Sequence, residues 1–147
     1  MPLSLNIVTA QRSVLERDDV TKIVVPAADG QITILPKHAA LLSALGIGEM
    51  LVFHGTNSVD AYVIHGGFIQ VLNDEVSVLA DAAEHVDEID VARAEAARDR
   101  AQRRLEGRDE ELPRSGVDVL RAQLAMQRAL VRVRVVRRYR TGQPSMR

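Results

Sequence analysis

The sequence contains no cysteine and no tryptophan, and aromatic residues fill only 3% of its 147 positions. Without cysteine there is no disulfide and no thiolate metal site, which fits a reducing compartment. Without large aromatics the core has to be built from Val, Ile, Leu and Ala. No apolar run approaches the roughly 20 residues that span a bilayer, so any membrane association is expected to run through partner proteins. The opening Met1–Ile7 has no basic region followed by an apolar block, and a secretory signal is not expected. Signatures of catalysis are missing as well. The histidines at 38, 54, 65 and 85 lack metal-ligand spacing. Gly66-Gly67 stands outside any Gly-x-x-x-x-Gly-Lys-Ser/Thr frame and reads as a turn between strands. Asp18-Asp19 and Glu110-Glu111 are adjacent carboxylates that point apart on a strand or lie in a solvated loop, and no nucleophile has a visible base partner. The expectation is a protein with no catalytic residue, no metal and no required cofactor.

What is present divides in two by charge. Residues 1–87 carry 4 Lys+Arg against 11 Asp+Glu, a balance of −7. Residues 88–147 carry 15 Arg against 9 Asp+Glu, a balance of +6, and together they make the −1 of the whole chain. So sharp a reversal argues for two parts with different partners, a first spanning 1–87 and a second spanning 88–147.

The first part reads as strands. Short β-rich stretches such as Val20–Val25, Ile32–Leu35, Met50–Phe53, Ala61–Ile64, Phe68–Leu72 and Val76–Leu79 are separated by turn signals at Asp29-Gly30, Pro36, Gly46–Gly48, Gly55–Ser58, Gly66-Gly67 and Asn73-Asp74. That rhythm indicates a sandwich or barrel. After Ala83 the period changes. Residues 88–106 are rich in Ala, Arg and Glu without Gly or Pro, with Asp87 or Asp90 available as N-cap and Gly107 as a stop. Asp109–Gly116 reads as a linker, a second helix runs from about Val117 to Arg138, and Thr141–Arg147 reads as a frayed tail. In that second helix Leu120, Leu124, Val131 and Val135 lie near one stripe. The two helices make an antiparallel αα-hairpin. Its first helix faces its partner mainly through Ala, and so small an apolar contact marks the hairpin as the movable part.

The arginines of the second helix form the one constellation with chemical reach. At about 100° per residue Arg121, Arg128 and Arg132 fall within roughly 40° of one another, and Arg134, Arg137, Arg138 and Arg140 spread charge around the helix end. A solvated basic face is one reading. Phosphate or carboxylate recognition by the bidentate guanidinium fork is the other. On the first helix Asp90 and Arg93 form an i,i+3 pair.

Five stretches in order resemble the epsilon subunit of bacterial F-type ATP synthases. Asp29-Gly30-Gln31-Ile32-Thr33-Ile34-Leu35-Pro36-Lys37-His38-Ala39-Ala40-Leu41-Leu42 is similar to that family's GELGILPGHAPLL stretch, and His65-Gly66-Gly67-Phe68-Ile69-Gln70-Val71 to its SGGFLEV. Val76–Asp81, Ile89–Ala94 and Arg121–Leu130 follow at the family's separations. Gln31, Thr33, Lys37 and Ala40 depart from the pattern, in the region the resemblance places near the ring of c subunits.

The resemblance implies a β-sandwich of about ten strands followed by the helical hairpin. It implies a regulatory rotor subunit in the central stalk, peripheral on the cytoplasmic face of the bacterial plasma membrane. There it would couple proton flow to ATP synthesis and inhibit ATP hydrolysis through its C-terminal helices. The partners implied are the gamma subunit and the c ring, toward Gln31 and His38, and the catalytic beta subunits, which meet Arg121, Arg134, Arg137 and Arg138 in an extended state. It also implies a regulatory ATP between the folded helices. Ile89, Asp90, Arg93 and Ala94 match an Ile/Leu-Asp-x-x-Arg-Ala motif, Arg128 and Arg132 match arginines of the last helix, and Glu84 matches a nearby acid. The alternative reading is a nucleic-acid-binding module using residues 121–140, although only Tyr139 is at hand to stack on bases.

Overall fold

The computed structural model describes residues 2–107 and 116–139, with side chains placed from Val119 onward in the second helix. The linker expected at 109–116 (apart from Gly116), the tail at 141–147 and Arg140 lie outside the described residues.

Seven strands come first: β1 Leu3–Val8, β2 Ser13–Ala27, β3 Gly30–Ile34, β4 Leu41–His54, β5 Ser58–Leu72, β6 Glu75–Ala80 and β7 Ala83–His85. A 3₁₀ turn, Val86–Glu88, leads to helices α1, Val91–Leu105, and α2, Gly116–Tyr139. The hydrogen-bonded order β1-β6-β5-β4-β2-β3 is closed by an additional β1–β2 pairing, and β7 adds to β5. The result is a flattened barrel, two β layers wrapped around one core, followed by the pair of helices. Side-chain alternation explains the wrapping. Leu3, Leu5 and Ile7 of β1 and Val76, Val78 and Ala80 of β6 point inward, with polar or partly exposed neighbours between them.

About ten strands were expected and seven are observed among the described residues, because β2, β4 and β5 are 15, 14 and 15 residues long. Strands β4 and β5 run through glycines that look like breaks, Gly46–Gly48 and Gly66-Gly67. Gly66-Gly67 is not a turn: it lies inside β5, at the point where that strand stops pairing with β7 at residues 62–64 and starts pairing with β6 at 67–72. Gly67 has φ +118°, and a Cβ there would collide with the Leu79 carbonyl oxygen, so only glycine lets the strand cross between layers. The real turn follows at Asn73-Asp74, both at positive φ, the two-residue geometry that matches strand twist.

The helices sit on the outer face of β4 and β5. Inward residues Met50, Val52, Tyr62 and Ile64 belong to the barrel core. Leu51, Ala61 and Val63, one residue out of phase, form a second core with Val86, Ile89, Val131, Val135 and Val136. Leu120 and Leu124 share the stripe of Val131 and Val135 but are exposed, so only the C-terminal half of α2 is seated on the sheet. Ala94 and Ala101 of α1 and Ala122 and Ala129 of α2 are buried. Each pair is seven residues apart, as expected for small residues where two helices approach closely. Glu95, early in α1, meets Arg137, near the end of α2, at 3.9 Å, so the pair is antiparallel.

Replacing Gly67 with Ala forces both the strained φ and the collision. The substitution is expected to destabilise the sandwich by about 2–4 kcal/mol, read as a lowered urea midpoint with unchanged slope.

Candidate functional site

Seating α2 on the sheet leaves a gap beside it. Around the helix axis, at about 100° per residue, Val131 and Val135 face the sheet, Ala122 and Ala129 lie on the far side, and Arg121, Arg128 and Arg132 fall between. That side of the helix turns toward the groove bounded by the sandwich and α1, and of the three arginines only Arg132 lines it. A cavity of about 430 Å³ lies there, lined by Glu84, Glu88, Ile89, Asp90, Arg93, Ala94, Ala97, Arg100 and Arg132. Of the residues matched to a nucleotide motif, Glu84, Ile89, Asp90, Arg93, Ala94 and Arg132 are thus brought together around one space. Arg128 lies one turn back, about 6 Å along the helix axis; it is half-buried and is not among the lining residues. Arg100 was not singled out in the sequence, although its spacing of seven from Arg93 puts both on one helix face.

Local structure sets what each group does. Asp90 is the N-cap of α1, its Oδ1 accepting the Arg93 N–H at 3.1 Å. The i,i+3 relation between these two residues is thus a cap bond and not a side-chain ion pair. Glu88, in the 3₁₀ turn, accepts from Arg12 Nη2 at 2.9 Å, tying the turn to the β1–β2 connection. At the cavity floor, Glu84 Oε1 accepts from Arg132 Nε at 2.8 Å and from His65 Nε2 at 2.7 Å. Burial raises the Glu84 carboxyl pKa, but the hydrogen bonds from His65 and Arg132 and the charge of Arg132 outweigh it, and the group is held below the usual carboxylate range. Arg93 and Arg100, by contrast, make no ion pair with a described residue. The space therefore offers two unengaged guanidinium groups, the hydrogen-bonding arrangement that suits an anion.

The other arginines expected to act outward are divided. Arg121 and Arg134 are exposed. Arg138 Nη1 donates to Glu49 Oε1 at 2.8 Å, and Glu49 is an acid on the outer face of β4 whose side chain is only 14% exposed. Burying a carboxylate needs a charged partner, and α2 supplies it. Gln31 is the second residue of β3, opposite Pro26, and His38 lies four residues past the strand's end. There His38 Nδ1 donates to the Ala39 carbonyl at 2.7 Å, and Lys37 N–H donates to Asp74 Oδ1 at 2.6 Å.

A second surface escaped the sequence reading. Leu42, Phe68, Leu72 and Leu79 are 72%, 55%, 48% and 57% exposed. Phe68 is paired across strands with Leu79 on one side and Ala44 on the other, which makes an apolar row on the outside of β4, β5 and β6. Exposed contiguous apolar surface marks an interaction face. The alternation of β5 and β6 contained the signal, since each places large apolar residues in both phases.

With this geometry established, comparison with known proteins decides the family. A profile described as "ATP synthase, Delta/Epsilon chain, beta-sandwich domain" matches residues 2–86, and one described as "ATP synthase, Delta/Epsilon chain, long alpha-helix domain" matches residues 87–137. The chain belongs to the ATP synthase delta/epsilon family. Relatives within the family include the ATP synthase epsilon chains of Syntrophomonas wolfei, 42% identical over 130 residues covering 88% of this chain and 90% of the relative, and of Herpetosiphon aurantiacus, 41% identical over 143 residues covering 97% and 100%. Among solved structures, a chain of the Euglena gracilis mitochondrial ATP synthase OSCP/F1/c-ring superposes with a TM-score of 0.76 at 22% identity, covering 88% of this chain and 78% of that one. A chain of the Tetrahymena thermophila mitochondrial ATP synthase central stalk and c-ring gives 0.61 at 13% identity, covering 92% and 97%. These two likenesses establish the fold of the family member, the sandwich with its helices.

The Glu84 contacts carry a pH signature. Because its pKa is lowered on folding, Glu84 contributes stability at pH values above the usual glutamate range, and that contribution is lost as pH falls through the lowered value. Glu84→Gln is expected to be less stable than wild type at neutral pH, the gap closing as the solution is taken through that acid range, as measured by thermal denaturation at stepped pH.

Proposed function

We propose that this chain is the regulatory epsilon subunit of a proton-translocating F-type ATP synthase. It would sit in the central stalk against the gamma subunit and the c ring, non-catalytic itself, with the helical pair as its regulatory element. It couples proton flow to ATP synthesis in this role and restrains ATP hydrolysis when the helices leave the sandwich. Attachment to the membrane is peripheral, on the cytoplasmic face, through the complex. Among the described residues no helix is long and apolar enough to cross a bilayer.

One observation carries the regulatory part of this reading: arginines of α2 are tied to acids of the same chain, Arg132 to Glu84, Arg138 to Glu49 and, more loosely, Arg137 to Glu95. The compact form occupies the guanidinium groups that an extended helix would present to acidic segments of the catalytic beta subunits, alongside exposed Arg121 and Arg134. Arg137–Glu95 is exposed at both ends, where an ion pair is worth about 0–1 kcal/mol, while Glu84 and Glu49 are partly buried beneath their arginines. Competing acidic groups and salt both favour release. A nucleic-acid role is not supported, since the basic helix spends these cations on its own chain.

The cavity is the site for a regulatory ATP. Its anion-suited rim, Arg93 and Arg100, with Arg132 on the floor and Arg128 one turn away, joins α1 to α2 and the sandwich. A ligand bridging the three stabilises the compact form by mass action. The apolar row of Phe68, Leu79, Leu42 and Leu72 is the face offered to gamma, and Gln31 on β3 and His38 just beyond it lie toward the stalk base and the c ring.

Isothermal calorimetry should detect ATP binding to the wild type and none to an Arg93→Ala, Arg128→Ala double variant; absence of heat in the wild type would remove the nucleotide site. Co-purification with gamma should survive deletion of residues 88–147, while ATP hydrolysis by the complex rises. Unchanged hydrolysis after that deletion would remove the inhibitory role and leave the coupling role standing. Phe68→Asp with Leu79→Asp is expected to abolish co-purification with gamma while circular dichroism stays that of the folded sandwich.

A further inference from the structure

Behind the cavity floor lies a residue the regulatory reading does not use. His65, on β5, is 8% exposed and stands where the family stretch quoted above has Ser. Its Nε2–H donates to Glu84 Oε1 at 2.7 Å, while its Nδ1 is buried with no hydrogen-bond partner. Arg132 donates to the same Glu84 oxygen, and its Nη2 comes within 3.5 Å of His65 Nε2. One carboxylate is thus shared by a fixed cation and by a group able to become one.

The surrounding charges define how that group responds. Glu84 faces His65 from β7. Glu49 lies one position further along the same outer face of β4, since Ile47 pairs with His65 and Glu49 with Val63. From α2 come Arg132 and, on Glu49, Arg138. Asp81 follows β6 beside Gly66, and across the cavity stand Glu88, Asp90, Arg93 and Arg100. With Arg132 on Glu84, a second positive charge at His65 sits against a guanidinium and has no acceptor for its Nδ1–H. An anion arriving in the cavity changes the charge part of this balance, while the Nδ1–H still has no acceptor among the described residues. It draws on Arg132, and its own charge lies close to Glu84, so the carboxylate loses its cation just as negative charge accumulates around it.

We propose that His65 is a positioning residue of the nucleotide site that takes up a proton when a nucleoside triphosphate binds, replacing Arg132 as the partner of Glu84 and freeing that arginine for phosphate. The inference rests on the reading of the cavity as a nucleotide site. By linkage, a ligand that raises proton binding at His65 binds more tightly at low pH and more weakly as pH rises. Occupancy of the site and compactness of the helices would then follow acidity.

The test is ATP titration of the full chain by calorimetry at several pH values between about 6 and 8, in buffers of differing ionisation enthalpy so that protons are counted. His65→Gln keeps an N–H donor toward Glu84 and cannot take up the proton; Glu84→Gln removes the charge that the proton neutralises. Wild type is expected to take up a fraction of a proton more than either variant, with an affinity that weakens by up to about tenfold per pH unit, while His65→Gln binds with a flatter pH profile. Binding with the same proton count and slope in wild type and His65→Gln overturns this proposal and leaves the nucleotide site intact. No heat in either protein overturns the nucleotide site and this proposal with it.

Discussion

Strands β4 and β5 have to be apolar on both faces, and the rest of the structure follows from that. One phase of their side chains, Met50, Val52, Tyr62 and Ile64, fills the barrel; the other, Leu51, Ala61 and Val63, is left facing outward. An antiparallel sheet can show one polar face to water, but the outer face here is mostly apolar, with Glu49 and His65 at the edge of the apolar patch. At about 25 cal/mol per Å² of apolar surface removed from water, covering that outer phase is the main drive for seating α2, whose Val131, Val135 and Val136 meet it. Helix α1 adds little apolar area of its own beyond alanines, and it is held chiefly because α2 is. The regulatory element is therefore docked through one short valine segment, and that gives a physical reason for it to be both well placed and releasable.

The charged contacts are arranged around this apolar patch and depend on it. Glu49 and Glu84 are at the edge of the same outer surface, and both meet arginines of α2 only when the valines are seated. Taken singly such pairs add little; together they make the compact form specific in register. A one-residue shift of α2 would rotate every arginine by about 100° away from its acid. The cavity is a by-product of the same geometry, since the arginine stripe lies between the sheet-facing and the α1-facing sides of the helix.

Much of this was legible in the residues. The change from period two to helical spacing after Ala83, the charge reversal, the Asp90 cap and the stripe of Arg121, Arg128 and Arg132 are local patterns, and local patterns survive folding. The strand count was not legible, because Gly46–Gly48 and Gly66-Gly67 carry the residue types of turns while serving as bends inside long strands. What decides between the two is the close approach of the Leu79 backbone to Gly67, a long-range contact. The exposure of Leu120 and Leu124 was hidden for a similar reason: a stripe shows which residues share a face, not how far the surface beneath them extends. The pairs His65 with Glu84 and Glu49 with Arg138 join residues 19 and 89 positions apart, and no spacing rule links them.

The seating of α2 on the outer face of β4 and β5 is the claim on which the cavity, the ion pairs and the releasable helix all rest. Methyl-resolved nuclear Overhauser spectroscopy of the isolated chain tests it directly. Cross-peaks from the Val135 methyls to those of Leu51 or Val63 are predicted by the arrangement described. Val135 methyls without cross-peaks to any sheet residue, in a chain whose barrel core resonances are those of a folded sandwich, would contradict it.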